Sequence, residues 1–210
     1  MTRGRFITFE GGEGAGKTTQ LLLLSKALDR RRLPHIVTRE PGGTPGAEAL
    51  RELLLSPEHD WGPRAEALLF AAARSDHVET LIEPALAAGQ WVLCDRFLDS
   101  SRAYQGGAGG IGDTDVMNLH RIGSGGLLPD RTILFTIDAD EAVRRAGARD
   151  RGNPDRIGGK SAAYHADVAA RFNALAAAEP ERFAVVSADA TPEDVHDRVI
   201  AALSSLMDDA

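Results

Sequence analysis

Gly11-Gly12-Glu13-Gly14-Ala15-Gly16-Lys17-Thr18 satisfies the pattern G-x-x-x-x-G-K-[ST], and it lies between an apolar run, Phe6 to Phe9, and a leucine-rich segment beginning near Lys17. The setting matters as much as the pattern, because a phosphate-binding loop needs a strand to deliver it and a helix N-terminus to follow it. Its small residues let successive backbone N–H groups curl around phosphate oxygens, and the following helix adds the positive end of its dipole. Lys17 supplies a point charge for the β and γ phosphates, and the Thr18 hydroxyl is placed to ligate magnesium. The eight residues Gly11, Gly12, Glu13, Gly14, Ala15, Gly16, Lys17 and Thr18 are therefore read as the binding loop for ATP or GTP with Mg2+.

Outward from this loop, short apolar runs recur at His35 to Thr38, Trp91 to Cys94, Thr132 to Ile137 and Phe183 to Ser187, giving five strands with Phe6 to Phe9. Segments with helical spacing fill the gaps, at Lys17 to Arg32, Ala65 to Ala88, Asp113 to Ile122, Asp140 to Arg149, Ser161 to Ala178 and Pro192 to Met207. Regular alternation of strand and helix predicts an α/β fold: a P-loop three-layer sandwich with a five-stranded, mostly parallel sheet and helices on both faces. No repeat, linker or low-complexity tract divides the chain, so residues 1–210 read as one domain. Glycine and proline mark loops at Glu40 to Gly46 and Gly106 to Gly112, beyond the second and third strands, where open α/β sheets hold ligands.

Composition narrows the partners. At 210 residues the chain can bury roughly 70% of the surface it exposes unfolded. Its 24 Lys plus Arg against 31 Asp plus Glu give a net charge of −7, which argues against a nucleic-acid partner. No apolar stretch has the length of a leader or a membrane span. The lone Cys94 cannot form an internal disulfide, and the expected location is the cytoplasm. The six histidines stand at least 18 residues apart and make no local zinc signature.

A second magnesium-side carboxylate belongs at the end of a neighbouring strand. Asp95 and Asp138 both end apolar runs; Asp95 is preferred because Arg96, Ser100, Ser101, Tyr104 and Gln105 follow it as a dense polar cluster, and Asp138 is read as structural. None of the three lysines stands in an [NT]-K-x-D motif, so a GTP switch falls away. A motor ATPase usually places glutamate after the strand-end aspartate, whereas Arg96 stands here, a residue suited to holding phosphate. Transfer between two phosphates needs cations against their repulsion, and the four variable loop positions, Gly12 to Ala15, carry no base. Arg144, Arg145, Arg149, Arg151 and Arg156 against Asp150 and Asp155 give a local +3, and Gly147, Gly152, Asn153 and Pro154 interrupt the helix. Residues 144–160 are therefore expected to form a mobile basic lid.

Four ordered stretches, Phe9 to Thr19, Thr38 to Gly43, Leu69 to Arg74 and Asp95 to Gly106, resemble bacterial thymidylate kinases, and the resemblance covers essentially the whole chain. It implies transfer of the γ-phosphate of ATP to dTMP, giving dTDP, in a cytoplasmic homodimer. It places Arg39, Arg51 and Arg96 around the acceptor phosphate, Phe70 and Arg74 on the pyrimidine, Ser101 and Gln105 on the base, Tyr104 near the sugar, and Glu13 near the sugar hydroxyl or metal waters. Phe70 and Arg74, four apart on one helix, share a face as this requires. The acceptor is already an anion, so no general base is demanded, and Lys17 and Arg96 with lid residues Arg149 and Arg151 are the expected catalytic cations. The chain departs from the family after Ile157, where it reads Gly158-Gly159-Lys160. The alternatives are another nucleoside monophosphate or deoxynucleoside kinase, or a non-catalytic ATP-binding regulator.

Overall fold

The computed structural model describes residues 3–138, 140–142, 144, 145 and 156–208. Five strands, β1 (Phe6–Gly11), β2 (His35–Arg39), β3 (Trp91–Asp95), β4 (Arg131–Thr136) and β5 (Phe183–Ser187), form a sheet of order β2-β3-β1-β4-β5. Every pairing is parallel, with Phe6 opposite Val92, His35 opposite Trp91, Ile7 opposite Arg131 and Thr132 opposite Phe183.

The central strands β1, β3 and β4 are largely apolar because both their faces are covered, while the edge strands β2 and β5 are partly exposed. Ile7, Phe9, Leu93, Ile133 and Phe135 point to one face, where Leu21, Leu24 and Leu28 of α1 (Lys17–Arg30) and Val199 and Leu203 of the C-terminal helix (Pro192–Asp208) close over them. Phe6, Val92 and Cys94 point to the other, against Ile82, Leu86, Phe97 and Val116, and Leu134 packs there with Val168 and Phe172. Period-two alternation thus sends neighbouring strand residues into separate cores.

The intervening helices are α2 (Pro45–Leu55), α3 (Pro63–His77), α4 (Glu83–Ala87), α5 (Leu98–Ser101), α6 (Asp113–Ser124) and α7 (Ala162–Ala178), so the C-terminal helix is α8. Three expectations are corrected. The stretch after Glu40 is not all loop: the Thr44 side chain accepts from Ala47 N, and Pro45 takes the first position of α2, where its missing N–H costs nothing. Likewise the anticipated glycine loop begins later, because Arg102–Ala108 continues α5 as a wide π-helical turn that absorbs Gly106 and Gly107. A second π-helical turn, Val78–Ile82, divides the expected Ala65 to Ala88 helix ahead of Pro84. Of the expected Asp140 to Arg149 helix, 140–142, 144 and 145 are helical, and the remainder lies outside the described residues.

Strand order reverses at β1, with β3 on one side and β4 on the other. A crevice opens beyond the carboxyl ends of strands at such a switch point. Arg39 and Asp95, the last residues of β2 and β3, line it.

Candidate active site

One half of the site is built on the β1–α1 turn. Gly11 adopts φ +132, and a Cβ there would lie 2.5 Å from the Phe135 carbonyl oxygen, so only glycine lets β1 end so close to β4. Gly16 precedes α1 in the left-handed region, and no side chain caps the helix, which leaves its first N–H groups for an anion. The Lys17 ammonium donates to Gly11 O at 3.0 Å and Gly12 O at 2.7 Å. Burial, assisted by Arg96, lowers Lys17 to about 8, against the pull of Glu13, Asp95 and Glu10. An incoming phosphate oxygen opposes that shift by supplying countercharge. Thr18 Oγ1 donates to Asp95 Oδ2 at 2.7 Å, a pair of hard oxygen donors at the mouth of the loop.

Arg96 sits between the two halves. It takes φ +68, a left-handed conformation unusual for a side-chain-bearing residue and costing on the order of 1 kcal/mol or more. Its guanidinium donates to Gly11 O and Ser100 Oγ, both at 3.1 Å, and to Glu13 Oε1 at 2.5 Å, while lying 5.4 Å from the Tyr104 ring centroid. The strained turn is held from below by Glu10, which is fully buried and accepts from Phe97 N at 2.8 Å, Ser100 N at 3.1 Å and Ser100 Oγ at 2.6 Å.

Burial first, and the Asp99 carboxylate second, push Glu10 from 4.5 up to about 7, against the hydrogen bonds from Ser100 and Phe97. The folded protein therefore binds a proton there that the unfolded chain releases, and this stabilisation is complete below pH 4.5 and lost as pH rises through about 7. At 1.36 kcal/mol per pKa unit the loss is on the order of 3 kcal/mol. Glu10→Gln, which cannot ionise, should flatten this part of the urea-denaturation stability curve between pH 5 and 8. Parallel curves for the two proteins would refute the assignment.

The other half lies beyond Arg96. Arg74 on α3 is 3% exposed; its Nε donates to Glu40 Oε2 at 2.8 Å and its Nη2 to Ser101 Oγ at 2.8 Å and Phe97 O at 3.2 Å. Glu40 also meets His77 Nδ1 at 3.1 Å, and His77 Nε2 reaches Thr38 Oγ1 at 2.7 Å. Gln105 Nε2 donates to Glu66 Oε1 at 2.9 Å, and half-buried Phe70 faces the same cleft. The Tyr104 hydroxyl is buried without a well-aligned hydrogen-bond partner among the described residues, though close enough to Arg96 to feel its charge; burial raises it and Arg96 opposes the shift. Arg39 donates to both Glu48 oxygens, at 3.0 and 3.1 Å, and Arg51 to Pro41 O at 2.7 Å.

One cleft of about 1090 Å³ joins the two halves, and Lys17, Thr18, Arg39, Arg74, Arg96 and Gln105 all line it. Glu13 to Lys17, Arg51, Phe70, Asp95, Ser101 and Tyr104 also border it. Among the basic residues read as a lid, Arg145 borders the cleft and pairs with Glu141 at 2.6 Å, as Arg144 does. Arg156 does not stand free in a loop: it donates to Glu66 Oε2 at 2.6 Å and to Leu54 O at 2.9 Å. Arg149 and Arg151 lie outside the described residues. Asp138 caps the following turn, its Oδ1 accepting from Asp140 N at 3.0 Å.

Four carboxylates given no role in the sequence reading support these cations: Glu10, Glu40, Glu48 and Glu66. Glu48 and Glu66 carried a local signal, each as an acid in the first turn of a helix.

A family model described as Thymidylate kinase matches residues 9–199. A protein named thymidylate kinase from Rhizorhabdus wittichii is 53% identical over 205 residues, covering 97% of this chain and 99% of its own. One of the same name from Rhodopseudomonas palustris strain TIE-1 is 54% identical over 202 residues, covering 94% and 87%, and one from Bradyrhizobium diazoefficiens is 49% identical over 203 residues, covering 96% and 89%. With a parallel P-loop sheet, a two-part cleft and similarity along nearly its whole length, the chain belongs to the thymidylate kinase family of ATP-dependent kinases.

Proposed function

We infer that this chain transfers the γ-phosphate of ATP to dTMP, giving ADP and dTDP. The observation that carries the reading is the continuity of the cleft from the P-loop to Arg74, Ser101 and Gln105. Backbone N–H groups from Gly11 to Thr18 cradle the donor phosphates, and Lys17 offsets charge on the transferring group. Arg96 stands between donor and acceptor, where the equatorial oxygens of a loose transition state concentrate charge. Arg39 and Arg51 serve the acceptor phosphate, Phe70 and Arg74 the pyrimidine, Ser101 and Gln105 its polar edge, and Tyr104 and Glu13 the sugar.

Magnesium belongs to this reading. Thr18 and Asp95 offer it two oxygens, and no cluster of three or more His, Cys, Asp or Glu residues capable of caging a metal occurs among the described residues. That donor set suits a cation that keeps several waters and takes its other ligands from phosphate. When bound, Mg2+ supplies countercharge to the phosphate oxygens. Arg149 and Arg151 complete the reading as lid cations. A homodimer is also part of it: Leu68 on α3 and Ile122 on α6, neighbouring helices, are exposed apolar residues that a second copy would cover. The single catalytic domain spans 1–210, and the buried, unpaired Cys94 supports a reducing, cytoplasmic location. No helix among the described residues is long and apolar enough to cross a membrane.

The test is a panel of nucleoside monophosphates with ATP, run with magnesium and with excess chelator, following ADP release. We expect dTMP among the best acceptors and loss of turnover on chelation. Preference for a purine monophosphate, or ATP binding without acceptor-dependent turnover, would overturn the reading.

A further inference from the structure

Gln105 differs from the other polar residues of the acceptor pocket in having two faces of opposite character. Its amide carries a donor end and an acceptor end that differ little in shape, so which end meets the pyrimidine depends on what holds the other. Here the other end is held by Glu66, 6% exposed in the first turn of α3, whose Oε1 receives Gln105 Nε2 at 2.9 Å. The second carboxylate oxygen receives Arg156 Nη2 at 2.6 Å, and Arg156 is itself fixed by Leu54 O at 2.9 Å. A carboxylate with its counterion in place accepts hydrogen bonds and donates none. It must therefore take the NH2 end of Gln105, which turns the carbonyl end the other way.

Beside Gln105 in the same wall stands Arg74, which only donates. The wall then presents a donor next to an acceptor. Thymine and uracil offer the matching edge, a carbonyl acceptor at position 4 beside an N–H donor at position 3. Cytosine offers the reverse, an amino donor at position 4 beside an unprotonated ring nitrogen. A pocket that fixes polarity in this way leaves buried groups unpaired against the wrong base, a larger penalty than shape alone imposes.

We propose that Glu66, backed by Arg156, is a positioning residue that fixes the orientation of the Gln105 amide and thereby selects 4-oxo pyrimidine nucleotides over 4-amino ones. This rests on the reading above that Gln105 faces the base. Glu66 does not touch the substrate; it acts through Gln105.

The experiment compares kcat/KM for dTMP, dUMP and dCMP with ATP in the native protein, Glu66→Gln and Gln105→Ala. A glutamine at 66 can offer either end of its own amide, so it frees Gln105 to turn over. Glu66→Gln should lower the dTMP-to-dCMP preference by roughly tenfold or more, with the dTMP-to-dUMP ratio nearly unchanged, because both of those bases carry the N3–H donor. A merely structural role for Glu66 would lower all three acceptors together, and that result overturns the proposal. If Gln105→Ala leaves the dTMP-to-dCMP ratio intact, the base-facing assignment of Gln105 fails instead. If Glu66→Gln does not fold, nitrogen-15 NMR of the Gln105 side-chain amide in the native protein bound to dTMP decides. One amide proton protected from exchange is expected, and two equivalent, freely exchanging protons would overturn the proposal.

Discussion

Lys17→Ala is expected to lower kcat by about 10²–10³, the range seen when one preorganised donor to developing charge is deleted. The ammonium lies at the strand end of the P-loop, held by the carbonyls of Gly11 and Gly12. It sits in a buried site where its charge is poorly hydrated, so its interaction with an arriving phosphate is stronger than it would be in water. Alanine also removes a donor from those two carbonyls, although Arg96 still donates to Gly11 O. The backbone N–H groups of the loop and the N-terminus of α1 remain, so ATP affinity should fall less than turnover. Steady-state rates with saturating ATP and dTMP, beside calorimetric ATP binding, separate the two effects. A near-native kcat would mean that Lys17 does not act on the transferring phosphoryl group.

The frame of this site was legible because its signals are local. The Gly11 to Thr18 loop carries its own spacing, and the strand preceding Asp95 is a contiguous apolar run that needs burial on both faces, whereas β2, at the sheet edge, leaves Val37 exposed. The helix α2 was not legible for a reason equally local: Pro45 and Gly46 are turn residues in most settings, and only the Thr44 cap makes the proline a helix start. Extension of α5 through Gly106 and Gly107 depends on tertiary packing, since α7 lies against that π-helical turn and Phe172 meets Tyr104 edge-on, ring centroids 6.2 Å apart. The supporting carboxylates are harder still. Glu40, Glu66 and Glu10 reach partners 34, 39 and 87 residues away, and a glutamate in a sequence looks the same whether it faces water or a buried guanidinium. Arg156 shows the converse. Its place in a basic, glycine-interrupted run suggests a lid cation, yet the fold pairs it with Glu66.

Arg74→Ala should be both destabilising and selective in its kinetic damage. The Arg74–Glu40 pair is nearly inaccessible, with side chains 3% and 4% exposed, and removing the cation leaves Glu40 its contact with His77 Nδ1. Breaking a buried pair from one side typically costs about 3–5 kcal/mol, because the remaining charge keeps its desolvation penalty. The same deletion strips Ser101 Oγ and Phe97 O of a donor and empties the space over the Phe97 ring. On the proposed reading the pyrimidine loses its donor, while the P-loop, to which Arg74 makes none of these hydrogen bonds, keeps its contacts. We therefore expect kcat/KM for dTMP to fall by roughly 10³ or more, in line with a hydrogen-bonding site left unmatched, with ATP affinity changed little. Arg74→Lys discriminates the two roles: it restores a charge beside Glu40, but a single ammonium cannot reproduce the three-way fork to Glu40, Ser101 and Phe97. Stability should recover further than dTMP turnover, as read by urea denaturation beside the acceptor kinetics. If Arg74→Ala weakened ATP and dTMP binding equally, the guanidinium would have to serve the donor half of the cleft, and the division of the site proposed above would be wrong.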